Sequence, residues 1–294
     1  MDTTLSDKTY VVTGTTSGIG LAAAEILVRR GASVIGVGRS PERCRQAERR
    51  LRDVNPAAQV TMLTANLALQ PEICRLATQV GETLAAWNKP ALDGLANVAG
   101  TFTYWMALTS EGFETQWAVN HLAPFLLTNQ LLPLLQAAPQ GRVVTVSSGS
   151  HYGARINWDD PQLRRHYNGL SAYGHTKLAN VLFTLELNRR LGTDSTVRAF
   201  AADPGLVKTD IGLKGTPPLV RRAWEWRRSG GISPEASAHG IVILLTDEGI
   251  QQSDEIYWLH GHPKRASHEA MDTASARRLW MLSAQMCAIN TIGE

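Results

Sequence analysis

The sequence predicts a single domain with a doubly wound α/β fold, in which about seven parallel strands carry helices on both faces. Two observations support this prediction. Short apolar runs alternate with helical segments of about ten or more residues from Thr9 to Ala201, a pattern typical of βαβ units. No linker rich in Pro, Gly or Ser divides the 294 residues, so we expect one domain over 1–294.

The predicted strands are short runs in which β-branched and other apolar residues dominate. In chain order they are Thr9–Thr13, Ser33–Val37, Gln59–Leu63, Leu92–Ala96, Arg142–Val146, Thr196–Ala201 and Glu255–Leu259. A parallel sheet covered on both faces requires strands of this buried type. Right-handed crossovers would then place a ligand crevice at the carboxyl ends of the strands.

The segments between these strands have helical patterns and helix-end signals. Gly18–Arg30 carries apolar residues on one face and is followed by Gly31, where a C-terminal cap is expected. Pro41–Leu51 is a charged surface helix that begins after Ser40. The remaining predicted helices are Glu72–Trp87, Phe125–Leu135, Ala172–Leu191, Pro234–Leu245 and a C-terminal helix near Thr273–Ile289.

Residues 210–230 interrupt the alternation and form an irregular insertion that contains several Arg and Trp residues. Trp224 and Trp226 in this insertion, and Trp105 earlier in the chain, lie in segments that should overhang the strand ends. These aromatic residues could close as a lid over an apolar substrate. They could equally anchor a short amphipathic helix to the core or to another subunit.

Charge and cysteine usage exclude several classes of protein. The formal net charge is +3 at pH 7, and no strongly basic tract is present, which argues against a nucleic-acid partner. Cys44, Cys74 and Cys287 are far apart and have the spacing of neither a disulfide framework nor a metal site. The polar N-terminus, and the lack of an apolar run near the ~20 residues of a membrane helix, predict a cytoplasmic protein without an integral membrane segment.

A glycine-rich turn lies directly between the first predicted strand and the first predicted helix. Glycines permit a tight turn and close approach of the backbone to a pyrophosphate, and the helix N-terminus offers free N–H groups to the anion. The spacing is Gly-x3-Gly-x-Gly, and a purely structural turn of this composition is the alternative. The predicted dinucleotide contacts are Gly14, Thr16, Ser17, Gly18, Ile19 and Gly20.

Arg39 follows the second predicted strand and indicates which dinucleotide is bound. An acidic residue at this place holds the ribose 2′-hydroxyl of NAD(H), whereas a cation suits the 2′-phosphate of NADP(H). Gly38 occupies the acidic position and Arg39 comes next. The sequence therefore favours NADP(H) over NAD(H), with an ordinary solvated arginine as the alternative.

Tyr173 and Lys177 form a candidate acid–base pair near the start of the helix after the fifth strand. A spacing of four residues places both on one helix face, about one turn apart. Free tyrosine has a pKa near ~10, and a neighbouring ammonium group would lower that pKa toward a useful range. Ser148 ends the fifth strand, so its hydroxyl can reach the same crevice.

Several segments resemble motifs of the short-chain dehydrogenase/reductase family, and the resemblance covers nearly the whole chain. Thr13–Gly20 is similar to its Thr-Gly-x3-Gly-x-Gly cofactor turn. Asn97–Gly100 is similar to its Asn-Asn-Ala-Gly motif, with Val98 in place of the second Asn. Pro204-Gly205, with Thr209 after it, resembles the segment that contacts the nicotinamide. At the positions of the catalytic tetrad stand Asn120, Ser148, Tyr173 and Lys177.

The resemblance implies a Rossmann-type domain that performs direct hydride transfer, with Tyr173 exchanging the proton of the substrate oxygen. It implies that Ser148 polarises that oxygen, that Lys177 binds the nicotinamide ribose, and that Asn120 holds a water linking Lys177 to solvent. Asn66 stands where the family commonly has Asp near the adenine. The cofactor contacts it adds are Asn66, Leu67, Asn97, Ala99, Gly100, Tyr173, Lys177, Pro204, Gly205, Val207 and Thr209.

Within the family, the chain resembles the retinol dehydrogenases and the related WW-domain oxidoreductase. This resemblance rests on Val146–Ser148 with His151, on Leu178–Phe183, and on Arg278–Trp280 with Ser283. It implies an NADP(H)-preferring enzyme that interconverts an alcohol and an aldehyde or ketone on a mostly apolar small molecule. It also implies a homodimer or homotetramer built through helices near 108–137 and 172–191. The alternative is a non-catalytic protein that senses NADP(H) or binds a partner, although the complete tetrad favours an enzyme.

The remaining histidines have weaker signals. His121 is expected to be structural, with lining of the pocket as the alternative, and His175 is expected to be a surface or packing residue. His151 and Tyr152 follow Ser148 closely, so they could contact the substrate or pack within a loop. No metal site is expected among the C-terminal histidines, which lack Cys partners and a helical His-Glu pattern.

Overall fold

An eight-stranded β-sheet lies at the centre of the structure, a computed structural model that describes residues 4–208 and 230–290. The strands are β1 (Thr9–Thr13), β2 (Ser33–Gly38), β3 (Val60–Thr64), β4 (Gly94–Asn97), β5 (Gly141–Val146), β6 (Val197–Asp203), β7 (Tyr257–Leu259) and β8 (His262–Pro263). The seven predicted strands are all present, with ends that differ from the expected ones by at most two residues. The sequence did not predict β8, because a two-residue strand has no periodicity to detect.

The strands follow the spatial order β3-β2-β1-β4-β5-β6-β7-β8. Every pair from β3 to β7 is parallel, and β8 adds an antiparallel edge to β7. Because β1 pairs with β2 on one side and with β4 on the other, the winding reverses at β1. A sheet of this kind opens a crevice at the reversal point, outside the carboxyl ends of its strands. The predicted doubly wound architecture is therefore confirmed.

Helices cover both faces of the sheet. In the described part of the chain they are α1 (Gly18–Arg29), α2 (Pro41–Val54), α3 (Gln70–Ala86), α4 (Ala123–Gln136), α5 (Gly169–Leu191), α6 (Pro234–Thr246) and α7 (Thr273–Cys287). One apolar core joins α1, α2 and α6 to the sheet, and the other joins α3, α4, α5 and α7. Burial of one large apolar side chain stabilises a fold by about 1.5–3 kcal/mol, which explains why the strands are apolar toward both cores.

A π-helical turn, Ala118–Leu122, precedes α4 and is itself preceded by a short helical turn at Thr115–Trp117. The N–H of Ala123 donates to the carbonyl oxygen of Ala118, five residues back. Pro124 has no N–H to donate to the carbonyl oxygen four residues earlier, which is that of Asn120. The α4 start predicted at Phe125 is therefore too late, and the widened turn places Asn120 next to the crevice.

The predicted insertion at 210–230 lies outside the described residues except for Gly230, and so do Thr209, Trp224 and Trp226. The described residues on either side of it are neighbours. Val207 forms a parallel bridge with Ile232, and the N–H of Lys208 donates to the carbonyl oxygen of Ile232 at 3.1 Å.

Candidate active site

The glycine-rich turn between β1 and α1 leaves room for an anion at the start of the helix. Gly14 and Gly18 have φ angles of 75° and 57°, which favour glycine. A Cβ on Gly20 would lie 2.6 Å from the carbonyl oxygen of Gly14, so the third glycine is needed for the turn to close against the helix. Ser17 is the N-cap residue but makes no side-chain hydrogen bond to the first turn. The helix N–H groups at 18–20 therefore suit the pyrophosphate of a dinucleotide.

Two arginines lie beside this turn. Arg39 is exposed directly after β2, at the place where the sequence predicts a 2′-phosphate contact. Arg43, in the first turn of α2, extends to the glycine-rich turn, and its Nη2 donates to the carbonyl oxygen of Thr16 at 3.3 Å. Sequence reasoning missed Arg43 because it belongs to a run of charged residues on a surface helix, and nothing in its spacing marks it out.

Thr13 joins the ends of β1 and β4 at the base of the crevice. Its Oγ1 accepts hydrogen bonds from the N–H groups of Val98 and Ala99, both at 3.0 Å. A Cβ on Gly14 would lie 3.0 Å from the Cα of Ala99. The two strand ends therefore approach as closely as backbone atoms allow. Sequence reasoning used Thr13 only as part of a motif and assigned it no role.

The other predicted cofactor residues lie at neighbouring strand ends. Asn97 is buried at the end of β4, and its Nδ2 donates to Thr128 at 3.1 Å and more weakly to Thr145 at 3.5 Å. Asn66 follows β3 and closes a tight turn, in which its Oδ1 accepts from the N–H of Ala68 at 3.3 Å. The Asn97 amide thus joins the end of β4 to α4 and, more weakly, to β5. The Asn66–Leu67 turn is half-buried after β3. Ala99 and Gly100 continue the chain after β4.

Tyr173 and Lys177 lie on α5, which packs directly on the turn that follows β5. The hydroxyl of Ser147 donates to the carbonyl oxygen of Lys177 at 2.8 Å. The Lys177 ammonium donates to the carbonyl oxygen of Val146 at 2.9 Å and lies 5.3 Å from the centre of the Tyr173 ring. Ser148 follows immediately, and its Oγ accepts from the N–H of Ser150 at 3.2 Å. The strand end therefore brings the serine, the tyrosine and the lysine to one place.

Gly174 permits this close packing of α5. A Cβ on Gly174 would lie 2.9 Å from the carbonyl oxygen of Ser150, whereas a Cβ on Gly81 in α3 would have no neighbour within 4 Å. We expect Gly174→Ala to lower the free energy of unfolding by roughly 1–3 kcal/mol, because overpacking against a backbone carbonyl outweighs the helix propensity of alanine. The matched control Gly81→Ala should raise the free energy of unfolding by about 0.5–1 kcal/mol. Denaturant unfolding of both variants is the measurement, and equal gains would contradict this account of Gly174.

Burial pushes both members of the pair toward their neutral forms. It raises the pKa of Tyr173 above its ordinary value, and the carboxylate of Asp203 raises it further. Burial lowers the pKa of Lys177 to about 8, while Asp203 acts in the opposite direction. Loss of hydration is the largest influence on the pKa of Tyr173 in the cofactor-free protein. That Lys177 lowers this pKa stays a prediction.

Asn120 fastens the loop after β4 to α5. Its Oδ1 accepts from the N–H of Thr101 at 2.7 Å, and its Nδ2 donates to the carbonyl oxygen of Thr101 and to the hydroxyl of Thr176. The Thr176 hydroxyl in turn donates to the carbonyl oxygen of Tyr173 at 2.8 Å. Asn120 is thus brought beside Tyr173, and its expected role in holding a water stays a prediction.

The Pro204–Gly205 turn ends β6 at the same edge of the sheet. Gly205 has a φ of 71°, and its N–H donates to the Oδ1 of Asp203 at 2.9 Å. The hydroxyl of Ser237 on α6 donates to the carbonyl oxygen of Pro204 at 3.1 Å. A Cβ on Gly205 would lie 2.4 Å from the His260 ring. This turn, with Val207 two residues on, therefore forms the far wall of the crevice.

The buried histidines have structural partners. His121 is confirmed as structural, since its Nε2 lies 2.8 Å from the hydroxyl of Ser283 and burial lowers its pKa to about 3. His175 accepts at Nε2 from the N–H of Asn157 at 2.9 Å. Burial lowers the pKa of His175 to about 4, so the packing alternative is right and the surface alternative is wrong.

His151 and Tyr152 both anchor loops. The buried His151 donates from Nδ1 to the carbonyl oxygen of Ser148 at 2.8 Å and accepts at Nε2 from the N–H of Ser267 at 3.2 Å. The hydroxyl of Tyr152 donates to the carbonyl oxygen of Arg265 at 2.6 Å. The loop-packing alternative therefore holds for His151, which fixes the backbone of the candidate catalytic serine.

Exposed apolar side chains lie on loops near these strand ends. Trp105 is 67% exposed and its ring contacts that of Tyr104 at 4.9 Å, while Leu206 next to the Pro204–Gly205 turn is 41% exposed. Phe102 packs edge-on against the Tyr173 ring at 6.0 Å. An apolar molecule would find a buried ring beside the tyrosine and exposed apolar side chains on these loops.

Residues 4–208 and 230–290 lack two features. Within these ranges no helix is both long and apolar enough to cross a bilayer. The same ranges contain no group of three or more His, Cys, Asp and Glu side chains that could hold a metal ion.

The fold and this constellation of residues match a known family. The family model described as short chain dehydrogenase matches residues 8–216. The chain therefore belongs to the short-chain dehydrogenase family, and it is an NAD(P)-dependent oxidoreductase.

Similar curated proteins place it within the retinol dehydrogenase branch. Retinol dehydrogenase 14 of Mus musculus is 33% identical over 96% of this chain and 86% of its own length. Retinol dehydrogenase 13 of Homo sapiens is 34% identical over 97% of this chain and 86% of its own length.

Solved structures show the same fold. A crystal structure of an uncharacterized protein from Mycobacterium paratuberculosis is similar with a TM-score of 0.71 and 32% identity, covering 98% of this chain and 96% of that chain. A short chain dehydrogenase from Shigella flexneri complexed with NADP has a TM-score of 0.66 and 23% identity, covering 89% of this chain and 100% of that chain.

Proposed function

We propose that this oxidoreductase prefers NADP(H) and interconverts an alcohol and an aldehyde or ketone on a mostly apolar small molecule. The observation that carries the proposal is the packing of Tyr173 and Lys177 on α5 against the turn that carries Ser148. These groups lie at the carboxyl end of β5, on the edge where the glycine-rich turn and the Pro204–Gly205 turn also lie. A phenol, an ammonium and a hydroxyl at such an edge suit proton exchange with a substrate oxygen.

The side chains have separate tasks in the proposed reaction. Tyr173 gives its proton to the carbonyl oxygen during reduction and takes it from the alcohol during oxidation. The Ser148 hydroxyl, whose present bond to the Ser150 hydroxyl is long at 3.3 Å, donates to the same oxygen and positions it. When bound, the dinucleotide supplies or accepts the hydride at its nicotinamide ring.

Lys177 binds the cofactor ribose in this scheme. An ammonium has three donors, and one of them is held by the carbonyl oxygen of Val146 at 2.9 Å. The two other donors suit neighbouring ribose hydroxyls. The positive charge of the ammonium group stabilises negative charge on the phenol oxygen. Asn120 keeps the loop after β4 in place beside Tyr173 through its bonds to Thr101 and Thr176.

The preference for NADP(H) is supported by cations beside the glycine-rich turn. A 2′-phosphate near the end of β2 would lie close to Arg39 and Arg43, and arginine binds phosphate through charge-assisted hydrogen bonds. A side chain at Gly38 would collide with Thr16 and Cys44. The position therefore carries no carboxylate that could repel the phosphate.

We expect Arg39→Ala to weaken NADPH binding about tenfold while leaving NADH binding within about twofold, because one charge-assisted contact is lost. Arg43→Ala should act in the same direction, and the double variant should lose most of the preference for NADPH. Arg49→Ala, an exposed arginine farther along α2, is the matched control. Fluorescence titration of both nucleotides is the measurement, and a double variant that still prefers NADPH would refute the assignment.

An apolar substrate is supported by the surroundings of Tyr173. Phe102 contacts its ring, and Trp105 and Leu206 lie exposed on loops at the strand ends. The relatives named retinol dehydrogenase favour retinoids or similarly long apolar alcohols and aldehydes as first candidates.

NADPH consumption is the direct test of the proposed function. Purified protein is mixed with NADPH and a panel that contains retinaldehyde, medium-chain aldehydes and aryl ketones, and the absorbance of NADPH is followed. We expect turnover with the apolar aldehydes. Tight NADPH binding without consumption across the panel, in either direction of reaction, would favour the non-catalytic sensor instead.

A further inference from the structure

A buried carboxylate lies behind the candidate catalytic residues, and the proposed reaction gives it no task. Asp203 ends β6 and is 4% exposed. Its Oδ1 accepts from the N–H of Gly205 at 2.9 Å, and its Oδ2 accepts from the hydroxyl of Tyr257 on β7. Burial of a carboxylate is costly unless it serves bonds and charges nearby, so its position needs an explanation.

The register of the sheet places Asp203 one strand away from the carbonyl group that Lys177 contacts. Val146 pairs with Ala202 across β5 and β6, and the Lys177 ammonium donates to the carbonyl oxygen of Val146. Asp203 is the next residue on β6. A Cβ on Gly149 would lie 3.6 Å from the Asp203 Oδ2, so the carboxylate also lies under the turn that follows Ser148.

We propose that Asp203 is a positioning residue whose negative charge keeps Lys177 an ammonium ion, and whose two oxygens join the Pro204–Gly205 turn to β7. This inference rests on the proposed function for its meaning in turnover. A buried lysine loses its proton readily, because an apolar surrounding disfavours the charged form. A carboxylate one strand away offsets that loss, so the lysine keeps the charge and the donors that the ribose and the phenolate require.

Burial favours the neutral forms of four titratable groups on α5 and on the elements near it. They are Tyr173 on α5, His121 in the π-helical turn, His151 after β5 and Tyr257 on β7. Burial lowers the pKa of both histidines and raises the pKa of both tyrosines. The charge that raises the pKa of Lys177 comes from Asp203.

The test observes the lysine directly. Protein labelled with 13C at lysine Cε is titrated by NMR without cofactor, and the Lys177→Met spectrum identifies the Lys177 signal. We expect the signal to titrate near pH 8 and the midpoint to fall by about one pH unit in Asp203→Asn. Asp203→Ser serves as a second neutral variant, in case the first does not fold. Tyr257→Phe, which removes a bond to Asp203 but keeps its charge, should leave the midpoint near the wild-type value.

Turnover gives a second and separate reading. A midpoint lowered by about one pH unit predicts that Asp203→Asn has about fivefold lower kcat than wild type at pH 8, and nearly equal kcat at pH 6. A folded neutral variant with an unchanged Lys177 midpoint would overturn the inference. Wild-type protein without turnover on any tested carbonyl would contradict the proposed function, and the NMR titration would still decide the role of Asp203.

Discussion

Tyr173→Phe is expected to lower kcat for carbonyl reduction by about 10²–10⁴-fold, because the variant keeps the ring and loses the proton that the substrate oxygen receives. NADPH affinity should change by less than about twofold, since the phenol ring packs against Phe102 and the helix backbone is unchanged. Steady-state turnover and fluorescence titration of NADPH provide the two measurements. The split between them separates loss of chemistry from loss of structure.

Tyr10→Phe is the matched control for this variant. Tyr10 is another buried phenol, and it lies in β1 on the sheet face that packs against α1 and α6. Its loss should leave kcat near the wild-type value. If Tyr173→Phe retained near-normal turnover, or if both variants lost turnover alike, proton donation by Tyr173 would be wrong.

The parts of the site that could be predicted from the sequence are those defined by local spacing. Gly14 to Gly20 lie in one turn, and Tyr173 and Lys177 lie one helical turn apart, so their neighbourhood needs no knowledge of tertiary structure. Alternation of strands and helices gave the order of elements for the same reason. Helix starts were less certain, as the π-helical turn before α4 shows.

The parts that could not be predicted depend on partners distant in sequence. Asp203 precedes Pro and Gly, a combination that indicates a turn, and its partner Tyr257 comes 54 residues later. His151 is fixed by Ser267, 116 residues away, so no local signal decided between substrate contact and packing. The raised pKa of Tyr173 could not be predicted for the same reason, because the burial that raises it exists only in the folded chain.

Replacing Lys177 with Met is expected to lower kcat by roughly 10²–10³-fold and also to weaken NADPH binding. The first effect follows from loss of the charge that stabilises the phenolate, and the second from loss of the donors to the ribose. Because the pKa of Lys177 is lowered to about 8, wild-type kcat should itself fall as the pH rises through about 8. The residual activity of the variant should lack that fall, since methionine does not titrate.

Lys264→Met tests whether any ammonium over an aromatic ring has this effect. The Lys264 ammonium lies 5.0 Å from the centre of the Tyr152 ring, much as the Lys177 ammonium lies over Tyr173. Lys264 is half-buried after β8, and among the described residues its ammonium has no hydrogen bond to a strand end of the crevice. Lys264→Met should change kcat by less than about twofold. A loss of turnover confined to Lys177→Met, together with loss of the alkaline fall, would show that the role of the lysine depends on both its charge and its position. Parallel losses in the two variants would mean that the site is sensitive to surface charge alone, and the ribose and phenolate roles of Lys177 would have to be abandoned.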